Sequence, residues 1–323
     1  MQSTSPSFAL LSGGVGGAKL VLGMAQVLGA NQLQVIANTA DDFEHLGLTI
    51  CPDIDTLTYT LAGIANPETG WGLQHETWHF MDSLEKLGGE TWFRLGDRDL
   101  ATHIRRRELL LAGHSLSEVT AELSQALGVT VPIWPMADDP VRTIIETDEG
   151  SLAFQDYFVR RQAQPIARSF HYTGSDQVRA ADSAVTALQA ATSGAIIITP
   201  SNPWLSIDPI LSLSDIKTTI TTSAAPVIAI SPIVGGKAIK GPTAKLMREM
   251  GIAPSSLSIA EHYRNIIDGL IIDKQDSAQQ DSIEAMGIKV KVCNTVMHNL
   301  ADKTLLAEHA LDFAASLRTG TDA

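Results

Sequence analysis

The fold is indicated most directly by residues 8–37, which read FALLSGGVGGAKLVLGMAQVLGANQLQVIA. A short apolar run at 8–11 leads into a glycine-rich turn, a helix-length stretch follows at 18–28, and a second apolar run occupies 33–37. Strand, helix and strand in this order form a βαβ unit, whose two strands lie parallel and whose crossover is right-handed. The segment therefore predicts an α/β protein with its glycine turn at the carboxyl end of the first strand.

The rest of the chain extends this pattern and interrupts it once. Apolar runs typical of buried parallel strands occur at 195–199, 226–230, 270–272 and 288–292. The middle instead has helix-like stretches at 76–87, 100–112 and 116–127, and then short strands at 142–147 and 151–153 around a hairpin turn. The prediction is a doubly wound, mostly parallel Rossmann-like sheet from residues 8–70 and 181–317. A mainly helical insertion at 71–180 carries a small β element.

Composition and charge exclude several classes of protein. The 323 residues are 44% hydrophobic, which is enough for a large core, and the formal net charge is -13. This acidic balance, with no long basic run, argues against a nucleic-acid partner. The two cysteines, Cys51 and Cys293, form neither a disulfide framework nor a zinc motif. With no signal-peptide pattern and no apolar run of membrane-spanning length, we expect a cytoplasmic protein without a membrane partner.

The glycine turn is the first candidate binding site. Gly13, Gly14 and Gly16 let a phosphate approach the main chain, the helix that follows supplies N–H donors, and Lys19 adds a positive charge. The turn departs from two known patterns. Lys19 stands where the dinucleotide fingerprint requires a third glycine or alanine, and the Gly-Lys-Ser/Thr end of the P-loop is missing. The sequence therefore predicts a nucleotide-phosphate site that belongs neither to an NAD enzyme nor to a Walker ATPase.

Four carboxylates follow the second strand and are the second candidate. Asp41 and Asp42 end one loop, and Asp53 and Asp55 start the next helix. Such a group repels itself unless a cation or ligand donors compensate, and Mg²⁺ favours a few carboxylates together with phosphate oxygens. We expect Asp42 and Asp55 to be the ligands, while Asp53 fits equally well as a helix N-cap. His45 lies nearby in sequence as a further possible contact.

Two further groups complete the candidate site. Arg98 or Arg94 is expected to contact an anion or a ring, because a guanidinium both forks to oxygens and stacks. Ser201 and Asn202 follow a strand and are suited to a base or ribose edge. Flat apolar surface and additional positive charge are predicted from Trp71, His75, Trp78, His79, Lys237 and Lys240.

Taken together, these motifs resemble the CofD/FbiA family, the phospholactate or phosphoenolpyruvate transferases of coenzyme F-420 biosynthesis. The likeness extends from about residue 8 to residue 317. It is carried in family order by GGVGGAK at 13–19, NTADD at 38–42, PDIDT at 52–56, LGDRDLATH at 95–103, FQDYFVR at 154–160, SNP at 201–203 and SPIVG at 231–235.

The resemblance implies an Mg²⁺-dependent phosphotransferase. A guanosine-diphosphate-linked phospho-acid would donate its phospho-acid unit to the terminal hydroxyl of the deazaflavin Fo, GMP would leave, and the F-420-0 type precursor would form. It implies Asp42 and Asp55 at the metal and the Fo hydroxyl, Arg98 near Fo, and Gly13, Gly14, Gly16, Lys19, Ser201 and Asn202 on the nucleotide side. The carboxylate that accepts the hydroxyl proton is left open between Asp55 and Asp41. The transferred phospho-acid is left open between phospholactate, phosphoenolpyruvate and phosphoglycerate. Because the family often assembles as dimers, a homodimer is also implied.

Two alternatives and two variants follow from these expectations. The glycine turn and the Asp41-Asp42 pair also resemble the YvcK-like gluconeogenesis-factor group, which binds nucleotide sugars without catalysis. The blocks at 95–103 and 154–155 favour the transferase. A dinucleotide-dependent dehydrogenase is disfavoured by Lys19. Asp55→Asn is expected to stop turnover with the fold intact, and Arg98→Ala to weaken Fo binding.

Overall fold

The computed structural model describes residues 6–319. The strands, in chain order, are β1 Phe8–Ser12, β2 Leu33–Ala37, β3 Phe43–His45, β4 Leu48–Ile50, β5 Ile133–Pro135, β6 Arg142–Thr147, β7 Gly150–Ala153, β8 Ala167–Thr173, β9 Ala195–Ile198, β10 Val227–Ile230, β11 Ile233–Val234, β12 Lys237–Ala238, β13 Gly269–Asp273 and β14 Lys289–Cys293. The helices are α1 Gly14–Val27, α2 Pro52–Leu61, α3 His79–Lys86, α4 Asp99–Leu111, α5 Leu116–Ala126, α6 Asp182–Ala190, α7 Asp208–Leu211, α8 Ser214–Thr221, α9 Thr243–Glu249, α10 Ser256–Tyr263, α11 Gln280–Glu284 and α12 Leu300–Thr319.

The centre of the protein is a seven-stranded sheet in the order β14-β13-β10-β9-β1-β2-β5. Every pairing in this sheet is parallel. The chain proceeds from β1 outward to β2 and β5, and then returns to β9 on the other side of β1. The direction of winding therefore reverses between β1 and β9, and ligands bind at such a switch point. The predicted doubly wound α/β fold is confirmed.

Alternating residues of the buried strands build two separate cores. On one face, side chains such as Leu11 and Ile198 pack with α6, α8 and α10. On the other face, Leu10 and Ile197 pack with α1, α2 and α12. Helices cover both faces, which explains why these strands read as continuous apolar runs. Gly23 brings α1 and α12 into contact, because a β-carbon there would lie 2.2 Å from the carbonyl oxygen of Lys303.

The predicted insertion contains a part of the central sheet. β5 lies inside the range 71–180, yet it pairs with β2 in parallel at the sheet edge. The predicted hairpin is confirmed as β6 and β7, and β8 joins β6 as an unpredicted third strand. Within residues 6–319, no helix is both long and apolar enough to cross a membrane.

Candidate active site

A cleft of about 680 Å³ opens at the carboxyl ends of the central strands. It is lined by residues that follow β1, β2, β9, β10 and β14, and it therefore includes the switch point between β1 and β9. The lining residues that follow these strands are Gly13, Gly14, Gly16, Lys19, Asp41, Ser201, Asn202, Ser231, Thr295 and Met297. Helix α2 contributes Asp53, Asp55 and Tyr59.

The glycine turn forms the start of α1 and holds a carboxylate of the protein itself. The backbone N–H of Gly14 donates to Oδ1 of Asp53 at 2.6 Å. A β-carbon on Gly13 would lie 2.4 Å from Oδ2 of the same aspartate, and one on Gly16 would lie 2.5 Å from the carbonyl oxygen of Pro200. The glycines are therefore required for close packing of protein groups, and Asp53 caps α1 rather than its own helix.

Ser201 and Asn202 tie the loop after β9 to this turn. The Ser201 hydroxyl donates to the carbonyl of Gly13 at 2.6 Å and accepts from its N–H at 3.3 Å. Oδ1 of Asn202 accepts from the N–H groups of Trp204 and Leu205, which fixes the orientation of the amide. The Nδ2 atom of Asn202 is buried without a hydrogen-bond partner, so it is a preoriented donor in a residue that lines the cleft.

Two lysines place positive charge at the same end of the cleft. Lys19 donates to the carbonyl of Met297 at 3.0 Å, and Lys240 donates to the carbonyl of Thr69 at 2.9 Å. Burial, followed by repulsion from Lys240, lowers the pKa of Lys19. Both line the cleft, whereas Lys237 is exposed on β12 and is not among the described lining residues.

Asp41 and Asp53 form a buried pair of interacting carboxylates beside the glycine turn. The amide of Asn38 donates to Oδ1 of Asp41 at 3.1 Å and to Oδ2 of Asp53 at 3.0 Å. Burial and then repulsion from Asp53 raise the pKa of Asp41 well above its usual range. Burial also raises the pKa of Asp53 to about 6, against hydrogen bonds from Asn38 and Gly14 that lower it. A cation or a shared proton would relieve this repulsion.

Asp42, one of the two predicted metal ligands, lies beneath the cleft and is not among the described residues that line it. Its Oδ1 atom is buried without a partner, and its carboxyl group hydrogen-bonds the Cys51 thiol. Burial raises the pKa of Asp42 to about 8, despite that hydrogen bond and the positive charge of Arg142. Burial at this position therefore favours the neutral acid over the carboxylate.

Asp42→Asn is expected to flatten the dependence of stability on pH. Because the folded pKa of about 8 lies above the ordinary 3.8, Asp42 favours the folded state fully below about pH 4 and loses this contribution as pH rises toward 8. At about 1.4 kcal/mol for each pKa unit, the rise from 3.8 to about 8 sets an upper limit of about 6 kcal/mol on this loss. Urea unfolding at pH 5 and pH 8 measures it, with the exposed Asp139→Asn as control. If the free energy of unfolding changed equally between pH 5 and pH 8 in wild type and in Asp42→Asn, the raised pKa of Asp42 would be contradicted.

Asp55 is the other predicted ligand, and it lines the cleft as expected. The structure adds a partner that the sequence did not reveal. Arg106 of α4 bonds both carboxylate oxygens of Asp55, with Nη1 3.2 Å from Oδ2 and Nη2 in contact with Oδ1. Arg106 is only 1% exposed. In the sequence, Arg106 could have been noticed as a charged residue on the apolar side of the helix predicted at 100–112.

The segment before α4 separates the roles of its charged residues. Glu76 accepts from the N–H groups of Arg98 and Asp99 and caps α4, while Asp97 accepts from those of His79 and Phe80 and caps α3. The Arg98 guanidinium bonds the carbonyl of Gln74 at 2.7 Å. Arg98 is exposed and is not among the described lining residues, so the motif around it braces two helices.

Arg94 is the arginine of this segment that reaches the cleft, and its guanidinium carbon lies 4.6 Å from the centroid of the Trp78 ring. Aromatic side chains form the neighbouring wall. Those lining the cleft are Tyr59, Trp71, Trp92, Phe93, Phe154 and Phe158. His45 is buried behind this wall against Phe43, Trp92 and Phe93, and His75 and His79 are not among the described lining residues.

Comparison with known proteins places the chain in a family. The chain matches the model described as 2-phospho-L-lactate transferase CofD over residues 9–307. It is 37% identical over 315 residues to a phosphoenolpyruvate transferase of Streptomyces griseus, covering 96% of this chain and 98% of that protein. It is 35% identical over 299 residues to a 2-phospho-L-lactate transferase of Methanosarcina acetivorans, covering 93% and 96%.

A solved structure supports the fold. A member of the UPF0052 family from Bacillus halodurans superposes with a TM-score of 0.60, over 95% of this chain and 99% of that chain. At 14% sequence identity, this likeness shows the architecture alone. The match over residues 9–307 and the identity over nearly the full length decide the relationship. The chain belongs to the family of 2-phospho-L-lactate transferase CofD.

Proposed function

We propose that this protein transfers a phospholactyl, phosphoenolpyruvyl or related phospho-acid unit from a guanosine-diphosphate-activated donor to the deazaflavin Fo. GMP is released and the F-420-0 type precursor of coenzyme F-420 forms. One observation carries the proposal: a single cleft joins a glycine turn with lysines to a wall of aromatic rings and carboxylates. The first end suits an anionic nucleotide, and the second suits a flat ring with a hydroxylated chain.

The donor is assigned to the end formed by the glycine turn. Lys19 and Lys240 supply charge for the phosphates, and α1 presents its N-terminus there. Nδ2 of Asn202 is a donor held in place by two hydrogen bonds to its Oδ1 atom, and it has a free hydrogen-bonding capacity that a nucleotide oxygen would satisfy.

The acceptor is assigned to the part of the cleft that is lined by aromatic rings and Asp55. Trp92, Phe93 and Phe158 offer apolar area for a tricyclic ring, and Arg94 stacks beside them on Trp78. Asp55 lines the same region, with its carboxylate held by Arg106. We propose that Asp55 accepts the hydrogen bond of the attacking Fo hydroxyl.

Mg²⁺ fits the carboxylate pair best. Asp41 and Asp53 both line the cleft, and the amide of Asn38 bridges their carboxylates, 3.1 Å from Oδ1 of Asp41 and 3.0 Å from Oδ2 of Asp53. In residues 6–319, no three His, Cys, Asp or Glu side chains are arranged to hold a metal. Substrate phosphate oxygens would therefore complete the coordination, as Mg²⁺ commonly requires. Bound there, the cation would neutralise phosphate charge and lower the pKa of a nearby hydroxyl.

The reaction needs positioning more than covalent chemistry. The Fo hydroxyl oxygen forms the new bond to the phosphorus that carries the acid, while the bond from that phosphorus to the GMP oxygen breaks and GMP leaves with the electron pair. The hydroxyl proton moves to a carboxylate, for which Asp55 is proposed and Asp41 is the alternative. This direct in-line attack predicts inversion at phosphorus, and retention would contradict it.

Arg94→Ala is expected to weaken Fo binding by roughly 5- to 20-fold, because it removes a cation–π neighbour and part of the cleft wall. Arg98→Ala is expected to change it by less than about twofold, since the Arg98 guanidinium bonds a backbone carbonyl outside the cleft. On these contacts we assign the Fo contact to Arg94 in place of Arg98. Calorimetric titration with Fo, and separately with guanosine diphosphate, tests both variants. Weakened Fo binding in Arg98→Ala alone would restore the first assignment.

Binding also tests the proposal as a whole. Fo and guanosine diphosphate are expected to bind wild-type protein at the same time, each with a stoichiometry of one per chain. Mutual exclusion of the two ligands would contradict the division of the cleft. Binding of NAD, or of a nucleotide sugar without Fo, would favour the dehydrogenase or the non-catalytic alternative. A homodimer stays a prediction, which light scattering of the purified protein tests.

A further inference from the structure

Arg106 is a buried cation whose partners all belong to the wall of the cleft or to strand β4. Besides both oxygens of Asp55, it bonds the carbonyl of Thr49 at 3.2 Å and Nδ1 of His103 at 3.1 Å. A guanidinium that is buried from solvent must place its N–H groups on such acceptors to offset its desolvation. Asp55 and His103 line the cleft, whereas Arg106 is not among the described lining residues.

The contact between Arg106 and His103 assigns the tautomer of the neutral imidazole ring. An arginine only donates hydrogen bonds, so Nδ1 of His103 must be the acceptor. The neutral ring then carries its proton on Nε2. That atom lies 3.4 Å from Oδ2 of Asp99. The other oxygen of Asp99 accepts from the Tyr59 hydroxyl at 2.5 Å.

These contacts give the acceptor end of the cleft a defined polarity. Asp55 and Asp99 present carboxylate oxygens, and the Tyr59 hydroxyl holds Asp99 in place, with Nε2 of His103 3.4 Å from its other oxygen. Carboxylates accept hydrogen bonds from neutral hydroxyl groups and repel phosphate or carboxylate ligands. The row formed by Asp55, Tyr59, Asp99 and His103 therefore suits a neutral chain with several hydroxyl groups. The anionic donor is assigned to the end of the cleft that holds Lys19 and Lys240.

We propose that Arg106 is the positioning residue for the acceptor's hydroxyl chain. It acts through Asp55, whose carboxylate it holds in one orientation, and through His103, whose tautomer it sets. The inference rests on the proposed function, since it assigns the polyol chain of the acceptor to this row. Arg106 itself never touches the substrate, so its removal should affect acceptor binding and leave donor binding unchanged.

Binding to Arg106→Lys tests this division. The lysine keeps the charge but loses the fork that engages both oxygens of Asp55, so the Kd for Fo is expected to rise roughly 10- to 100-fold. The Kd for guanosine diphosphate is expected to stay within about twofold. Arg105→Lys is the matched control, because Arg105 is the neighbouring residue on α4 and pairs with Glu108 and Glu122 at the surface. Equal losses for both ligands, or normal Fo binding, would overturn the proposal.

A mutant cycle shows whether Arg106 acts through Asp55. If it does, the loss of Fo affinity in Asp55→Asn/Arg106→Lys is expected to be about that of the stronger single variant, and not the product of the two. Multiplied losses would show that Arg106 acts independently of Asp55. Arg106→Gln, read in the same cycle, provides a second variant should Arg106→Lys fail to fold.

The tautomer of His103 supplies a readout that does not depend on Fo. Side-chain ¹⁵N NMR, with His103→Gln used to assign the signal, is expected to show the Nε2–H form in wild type and Arg105→Lys, and a mixture of forms in Arg106→Lys. An Nδ1–H or mixed state in wild type would overturn the positioning role. If wild type shows the Nε2–H form but binds no Fo, the proposed function fails while the local assignment stands.

Discussion

Asp55→Asn is expected to lower the free energy of unfolding by roughly 3 kcal/mol or more, and to reduce turnover by roughly 10²- to 10⁴-fold. The stability loss arises because Arg106, which is 1% exposed, loses its counter-charge and one of its acceptors. The loss of turnover arises because the proposed acceptor of the hydroxyl proton is gone. Urea unfolding and a product assay measure the two effects separately. The sequence alone predicts loss of turnover with the fold intact, because it does not show that Asp55 pairs with a buried arginine.

Two further variants distinguish the loss of folding stability in Asp55→Asn from its loss of turnover. Asp55→Asn/Arg106→Gln removes both charges, so it is expected to regain part of the lost stability and to remain inactive. Glu122→Gln breaks the exposed pair with Arg105, at 2.6 Å, and is expected to cost less than about 1 kcal/mol. A stable, fully active Asp55→Asn would refute both the ion pair and the catalytic role.

Gly13→Ala is expected to weaken donor binding and to lower kcat/KM by roughly 100-fold. The added β-carbon would lie 2.4 Å from Oδ2 of Asp53 and 2.7 Å from the β-carbon of Ser206, so Asp53 must leave its place on the N–H of Gly14. Overpacking of this kind also costs about 1–3 kcal/mol of stability. The backbone of Gly13 is extended, with φ of -157°, and adds no strain.

Gly29→Ala is the matched control for this variant. Its added β-carbon would meet only the end of the Gln32 side chain, at 3.3 Å, far along the chain from the turn. Titration with guanosine diphosphate and steady-state kinetics are expected to show wild-type behaviour for Gly29→Ala. Normal donor affinity in Gly13→Ala would mean that the turn and Asp53 do not form one unit.

The central sheet was predictable because its strands are covered on both faces. Buried strands such as β9 and β10 are uninterrupted apolar runs that no solvated segment imitates. β5 and β8 were not predictable in the same way. β5 is three residues long and includes Pro135, and β8 is largely exposed, so neither carries an apolar period. The predicted insertion at 71–180 was defined by its helix content. It therefore did not identify β5, which lies within that range and belongs to the central sheet.

The candidate site was predictable in its location and less so in its geometry. Strand ends placed the glycine turn, the carboxylates and Ser201 at one edge, as the parallel sheet requires. Sequence adjacency could not show which of Asp41 and Asp42 faces the cleft, because successive loop residues point in directions that only the backbone sets. Nor could it show Arg106, whose partner Asp55 is 51 positions away in the chain.

The most direct test of the account is the product formed by the purified protein with Fo, Mg²⁺ and each guanosine-diphosphate-linked donor in turn. Mass spectrometry is expected to detect GMP and a new phosphodiester of Fo with at least one of the phospholactate, phosphoenolpyruvate and phosphoglycerate donors. The Asp55→Asn protein serves as the inactive reference. Absence of any such phosphodiester from all three donors, with folded wild-type protein that binds a nucleotide sugar, would contradict it.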